Sequence, residues 1–135
     1  MKRLCLFLAL AATLPAWAQS PRGDLSCTPT GRDFVYDCTI RLNRAGKPLE
    51  GVELTVGADM PSMPMAHNVK PVKASAGKSP GEYAARLELE MLGLWAVKLR
   101  LAGPVRDQLV LNYDFTEKGA QPAKPGKPGG GHHKH

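Results

Sequence analysis

The sequence predicts an all-β fold, an immunoglobulin-like antiparallel β-sandwich of about seven strands. Three observations predict it. Apolar and polar residues alternate strictly in several segments, which is typical of strands that are buried on one face. Turn-forming Gly and Pro residues separate these segments at short intervals. No segment beyond the N-terminal leader shows the 3.6-residue period of an amphipathic helix.

The N-terminal segment, residues 1–18, is predicted to be a cleavable signal peptide. Two basic residues precede an apolar run, and a small-x-small cleavage signal follows at Ala16-Trp17-Ala18. The run is shorter than the ~20 apolar residues that a transmembrane helix needs, so we expect no membrane span in the mature chain. The mature protein is expected to begin at Gln19 and to be periplasmic.

The charge of the chain is moderately basic. It has 18 basic and 12 acidic residues, a formal charge of +6, and loss of the two basic residues of the leader lowers this to about +4. A basic protein in the cytosol could bind nucleic acid. Because export removes that partner and the charges alternate along solvent faces, we expect a solvated surface and no nucleic acid.

The strands are predicted between the two ends of the chain, in a domain that covers residues 19–117. Four segments alternate most strictly: DFVYDCTIRLN, EYAARLELEM, WAVKLRL and QLVLNYDF. Their apolar faces are formed by Phe34, Tyr36, Cys38, Ile40, Leu42, Tyr83, Ala85, Leu87, Leu89, Met91, Trp95, Val97, Leu99, Leu101, Leu109, Leu111, Tyr113 and Phe115. Three weaker strands fit DLSCT, GVELTVGA and HNVKPVKA, which gives seven.

Cys27 and Cys38 are the two cysteines that remain once the leader is removed. By parity, each shares a face with the apolar residues of its own strand. In an oxidising compartment two such cysteines on adjacent strands are expected to form a disulfide, and closing a loop of this size stabilises the fold by about 3 kcal/mol. A pair of thiolate copper ligands is the alternative.

The C-terminal segment, residues 118–135, reads KGAQPAKPGKPGGGHHKH and has no apolar residue larger than Ala. Such a composition cannot bury enough surface to offset the entropy of ordering, so we expect a disordered tail. Its His132, His133 and His135 form a weak accessory metal cluster, and imidazole suits Cu(II). The alternative for these histidines is the remnant of an affinity tag.

The candidate functional residues lie in the segment MPSMPMAH, Met60 to His67, which holds three of the five methionines of the chain. Thioethers are soft donors that suit Cu(I) or Ag(I), and unlike thiols they form no disulfides in an oxidising compartment. In an extended segment Met63, Met65 and His67 would point the same way, because they are spaced by two residues. The prolines favour that extended geometry. The pattern predicts a three-coordinate site of two sulfurs and one nitrogen.

Two further methionines are accessory candidates for the site. Met60 is near enough in sequence to be an exchange ligand, and Met91 could cap the site if its strand ends beside the loop. By parity with Leu87 and Leu89, however, Met91 is expected in the core. Methionine also fills irregular core gaps and forms adaptable surfaces, so packing or a partner-binding patch is the alternative for the whole loop.

Four segments of the chain, GKPLEGVELTV, MPSMPMAHNV, GEY and MLGLW, resemble the YtkA-like, FixH-related domain of bacterial exported proteins. The resemblance covers roughly residues 34–115. It implies an immunoglobulin-like fold and an association with copper handling, and it points to Met63, Met65 and His67 as ligands. FixH-type members carry a membrane helix, for which this sequence has no candidate.

Two functions are therefore open. The first is a periplasmic Cu(I)-binding protein, a copper chaperone or a copper-tolerance carrier, that exchanges the metal with a donor or acceptor protein. The alternative is a metal-free immunoglobulin-like module whose Met loop binds a protein partner. An enzyme is not expected, because the sequence offers no Ser/His/Asp set and His67 has no evident paired base.

Overall fold

A computed structural model describes residues 10–13, 15 and 19–124 of the 135-residue chain. The predicted cleavage signal at residues 16–18 and the predicted histidine cluster of the tail lie outside the described residues. Within them, ten β-strands form and no helix is long and apolar enough to cross a membrane. The strands are β1 (Arg22–Pro29), β2 (Val35–Arg44), β3 (Lys47–Pro48), β4 (Glu53–Asp59), β5 (Asn68–Lys73), β6 (Ser75–Ala76), β7 (Glu82–Glu88), β8 (Gly93–Ala102), β9 (Asp107–Thr116) and β10 (Gly119–Pro122).

The strands form two antiparallel sheets of five strands each. One has the order β1-β2-β7-β6, with β3 also paired to β2, and the other has the order β10-β9-β8-β4-β5. The seven predicted strands correspond to β1, β2, β4, β5, β7, β8 and β9. The prediction of an all-β antiparallel sandwich is confirmed, because each of these segments places one apolar face in the space between the sheets.

The core is built from the alternating positions that the sequence indicates. Its largest fully buried side chains are Trp95, Phe115, Ile40, Leu42, Leu54, Leu87, Leu99, Val56 and Val97. Phe34 is an exception, since it was predicted on the core face but is 37% exposed. It precedes β2 in a tight turn with a positive φ of 61°, where the Val35 amide donates to the Arg32 carbonyl. The turn ends the alternation, so that Val35 and Tyr36 are both buried.

The two cysteines of the domain are joined as predicted. Cys27 of β1 lies directly opposite Cys38 of β2 in the strand register, with their Cα atoms 4.1 Å apart. The disulfide links the edge strand of the first sheet to its neighbour and is buried in the core cluster. The predicted disulfide is therefore confirmed, and Cys27 and Cys38 do not provide the alternative pair of free thiolate ligands.

The C-terminal boundary of the domain lies further along the chain than predicted. Residues 119–122, which were expected to belong to the tail, form β10 and pair with β9. A two-residue turn at Glu117 and Lys118 reverses the chain. Gly119, which follows it, has a φ of 135°. A Cβ at this position would lie 2.6 Å from the carbonyl oxygen of Cys27. Backbone pairing orders this segment, and composition alone did not indicate it.

Four connections gather at one end of the sandwich. β4 ends opposite the start of β8, β8 starts opposite the end of β9, and β2 starts opposite the end of β7. We call this region the loop end. It consists of Thr30–Phe34, Met60–His67, Leu89–Leu92 and Glu117–Lys118. The segment with three methionines therefore lies beside the β7–β8 connection, which carries Met91.

Candidate metal site

The segment Met60–His67 is the hairpin loop between β4 and β5. Its base is closed by the Met60 amide, which donates to the His67 carbonyl at 3.1 Å, next to the paired residues Asp59 and Asn68. The loop is therefore anchored at both ends by the sheet, and its conformation is held by the backbone.

The conformation of this loop differs from the extended segment that the sequence predicted. The Met63 amide donates to the Met60 carbonyl at 3.0 Å, and the Ala66 amide donates to the Met63 carbonyl at 3.2 Å. These are two successive β-turns, and each has a proline, Pro61 or Pro64, in its second position. Proline favours that position because its φ is already near −65°. The prolines thus fold the loop and do not extend it.

The second turn brings Met63 and His67 together. The His67 amide also donates to the Met63 carbonyl, at 3.1 Å, which is the bond of one α-helical turn. Residues four apart on such a turn lie on the same side. Met65 does not share that direction; it lies at the tip of the loop with 93% of its surface exposed. The backbone of this turn therefore places Met63 and His67 on the same side and leaves Met65 as an exposed, unbranched side chain at its tip.

The three methionines of the loop have different environments. Met60 is only 5% exposed and belongs to the core cluster. Its methyl group lies 3.3 Å from the position that a Cβ on Gly93 would occupy, so it fills space against the start of β8. Met63 is 40% exposed and Met65 is almost fully exposed. Packing therefore explains Met60, whereas it does not explain Met63 or Met65.

His67 has a carboxylate partner that the sequence pattern does not predict. Its Nδ1 lies 2.6 Å from Oε2 of Glu90, in the β7–β8 connection. The expectation that His67 has no paired base is thus wrong. In the segment EYAARLELEM, Glu90 alternates with Leu89 and Met91, which predicts a position facing solvent. The one sequence signal for a further role is its place next to Met91, where the alternation ends.

Met91 follows Glu90 and is partly buried against the core. Its carbonyl accepts a hydrogen bond from Nε1 of Trp95 at 3.1 Å, and Trp95 itself is fully buried. The expected core position of Trp95 is confirmed. The indole therefore holds the backbone of the β7–β8 connection at Met91, the residue next to the one that contacts His67.

The donor set at this end of the molecule is soft. Among residues 19–124 no group of three or more His, Cys, Asp or Glu side chains is placed to hold a metal ion. The residues of this region that could bind a metal are the exposed thioethers of Met63 and Met65 and the imidazole of His67, with a further thioether, Met91, on the neighbouring connection. Sulfur of this kind binds Cu(I) or Ag(I) in preference to Zn(II), Ca(II) or Mg(II).

The fold and the loop define a two-sheet β-sandwich with a Met/His loop at one end. A family model described as YtkA-like matches residues 30–100 of the chain. That match covers more than half of the sequence, and the chain belongs to the YtkA-like family. The matched segment includes the β4–β5 loop, Glu90, Met91 and Trp95. Neither a search of curated proteins nor a search of solved structures found a significant match.

Proposed function

We propose that this protein is a periplasmic Cu(I)-binding protein that acts as a copper chaperone or copper-tolerance carrier. The observation that carries the proposal is the exposure of Met63 and Met65 beside His67 in a loop whose backbone is held by hydrogen bonds. Large apolar side chains contribute to stability by burial, and an almost fully exposed Met65 contributes little. A role as a soft ligand accounts for its position.

The proposed ligands are Met63, Met65 and His67. Met63 and His67 come from one turn, and Met65 reaches from its tip with three rotatable bonds. Met91 is the proposed fourth donor, because it follows Glu90, whose side chain contacts His67 across the two connections. We leave Met60 out of the proposed set, because its side chain is buried in the core and has a packing role there. Three or four soft donors at a surface can release Cu(I) to a partner protein, as a carrier must.

The proposed compartment supports the same chemistry. The leader at residues 1–18 predicts export, and the disulfide between Cys27 and Cys38 is the kind of bond that persists outside the cytosol. Free cysteine ligands would be oxidised there, whereas thioethers remain available. We propose that the accessory histidines His132, His133 and His135 bind Cu(II) weakly, since imidazole suits that ion.

The experiment is an anaerobic Cu(I) titration of the full mature chain in competition with a chromophoric Cu(I) chelator. We expect one Cu(I) per protein, and Met63→Leu with Met65→Leu should weaken binding by more than tenfold, because leucine keeps the volume and removes both sulfurs. Met60→Leu is the matched control, since it removes a sulfur from the core only. A double leucine variant that holds Cu(I) as tightly as the parent would refute the proposal.

A second function is favoured by a separate observation. Four large apolar side chains at or beside the loop end are exposed, namely Met63, Met65, Phe34 and Leu94, as in a surface that binds a partner protein. A metal-free interaction module would tolerate leucine at the methionine positions and would bind its partner without copper. The same titration therefore separates the two functions.

A further inference from the structure

We infer that Glu90 is a positioning residue for His67, so that the ring presents Nε2 to the metal. The inference deepens the proposed function and rests on it. Its basis is the 2.6 Å contact between Nδ1 of His67 and Oε2 of Glu90, which joins two connections that are 23 residues apart in sequence. Neither the family match nor the sequence pattern assigns a role to this carboxylate.

The backbone of His67 is already fixed, which leaves only the ring to be oriented. Its amide donates to the Met63 carbonyl and its carbonyl accepts from the Met60 amide, both at 3.1 Å. The side chain is about one quarter exposed, at 28%, so the ring lies against the protein and does not extend into solvent. The contact with Glu90 fixes which edge of the imidazole faces the protein.

The contact also determines the tautomer. An ionised carboxylate can only accept hydrogen bonds, so Nδ1 must carry the proton. In a neutral ring the lone pair is then on Nε2, which is the atom available to a metal. Metal-bound histidines commonly have such a carboxylate behind them, and its removal typically lowers metal affinity by about 10- to 100-fold.

Two of the other charged groups near Glu90, Glu88 and Arg86, have partners of their own. Glu88 of the same edge faces Arg32 at 3.8 Å, and Arg86 forms a bond of 2.8 Å with Asp37. Lys70 lines a groove between β5 and β7 that Glu88 and Glu90 also line. Among these groups Glu90 is the carboxylate that contacts His67. Glu88 therefore offers a matched control, because Glu88→Gln removes an equal charge from the same region and leaves the imidazole contact intact.

The first test measures the tautomer of the metal-free, full mature chain. Long-range ¹H–¹⁵N correlation spectra at about pH 8.5, where ordinary imidazoles are neutral, report which ring nitrogen is protonated. His67→Asn assigns the signals. We expect the Nδ1–H form in the parent and in Glu88→Gln, and a shift toward the Nε2–H form in Glu90→Ala. An Nε2–H ring in the parent, or no change in Glu90→Ala, would overturn the inference.

The second test measures Cu(I) affinity by chelator competition in the same variants. We expect Glu90→Ala to weaken binding by about 10- to 100-fold, Glu90→Gln to weaken it less, because the amide oxygen still accepts from Nδ1, and Glu88→Gln to stay within about twofold. Unchanged affinity in Glu90→Ala, with the Met63/Met65 leucine pair still impaired, would reject the role of Glu90 alone. If the tautomer shifts as expected but the leucine pair binds Cu(I) normally, the proposed function fails and the orienting contact stands.

Discussion

The difference in burial between Met60 and Met65 of the β4–β5 loop gives a direct test of the structure. Met60 is 5% exposed and packs against the start of β8, whereas Met65 is 93% exposed. Truncation of a buried methionine to alanine costs about 2–5 kcal/mol, because it removes buried surface and leaves a cavity. A surface substitution usually changes stability by no more than about 0.5 kcal/mol. We therefore expect Met60→Ala to be strongly destabilising and Met65→Ala to be nearly neutral.

The expected loss of stability in Met60→Ala follows from the position of this side chain. Its methyl group is close to the backbone of Gly93, and it belongs to the same core cluster as Trp95. The surrounding strands are paired on both sides, so the cavity cannot collapse fully and the cost should lie within the range for buried methionine. For a domain of this size, 1 kcal/mol shifts the melting temperature by about 4–8 °C, so the loss should be at least 8 °C.

The assay is urea unfolding of the metal-free mature chain, followed by intrinsic tryptophan fluorescence, with both variants and Met60→Leu measured in parallel. Met60→Leu should cost less than about 1.5 kcal/mol, because it conserves volume. Metal-free protein is essential, since Cu(I) bound to the folded state would itself add stability. If Met60→Ala destabilised the fold no more than Met65→Ala did, the placement of Met60 in the core would be wrong.

Three further predictions concern other parts of the molecule. Intact-mass analysis of the exported protein should show a chain that begins at Gln19 and contains no alkylatable thiol before reduction; retained leader mass or free thiols would contradict this. Truncation after Lys118 should lower the melting temperature of the purified variant, because it removes β10. Truncation after Lys124 should leave the melting temperature nearly unchanged and should remove weak Cu(II) binding. The hydrogen bond from Arg86 lowers the pKa of Asp37, so the stability from this exposed pair is present above the ordinary carboxyl range and is lost as pH falls through the lowered pKa. Asp37→Asn should therefore reduce the loss of folding stability at acidic pH, and an unchanged loss would contradict the pairing.

Local sequence patterns determined most of the fold. In a strand that is buried on one face, apolar residues recur at every second position. The alternation in segments such as residues 83–89 therefore predicts both the strand and its buried side without knowledge of the neighbouring strands. The same parity placed Cys27 and Cys38 in the core and made their pairing predictable. The proposed donors Met63, Met65 and His67 were identified differently, from residue type and proximity in sequence, and the extended geometry predicted for them is replaced by two β-turns.

The boundaries of these patterns were less well predicted, because turns depend on backbone geometry. Phe34 continues the alternation of β2 in sequence, but the turn before β2 places it at the surface. The two prolines of the methionine loop are compatible with an extended chain or with β-turns, and only the backbone hydrogen bonds to the carbonyls of Met60 and Met63 show that turns form. β10 depends on its pairing with β9, which composition does not reveal.

Contacts between residues that are distant in sequence were decided by the tertiary structure alone. The sequence by itself predicted the strand pattern and the disulfide, and it showed that thioethers and an imidazole lie close together in the chain. Only the fold placed Met60 against Gly93 and joined Glu90 to His67, since these contacts arise from the meeting of the β4–β5 and β7–β8 connections at one end of the sandwich. The periodicity of a strand specifies which side chains point inward, but the register and order of strands specify which loops become neighbours.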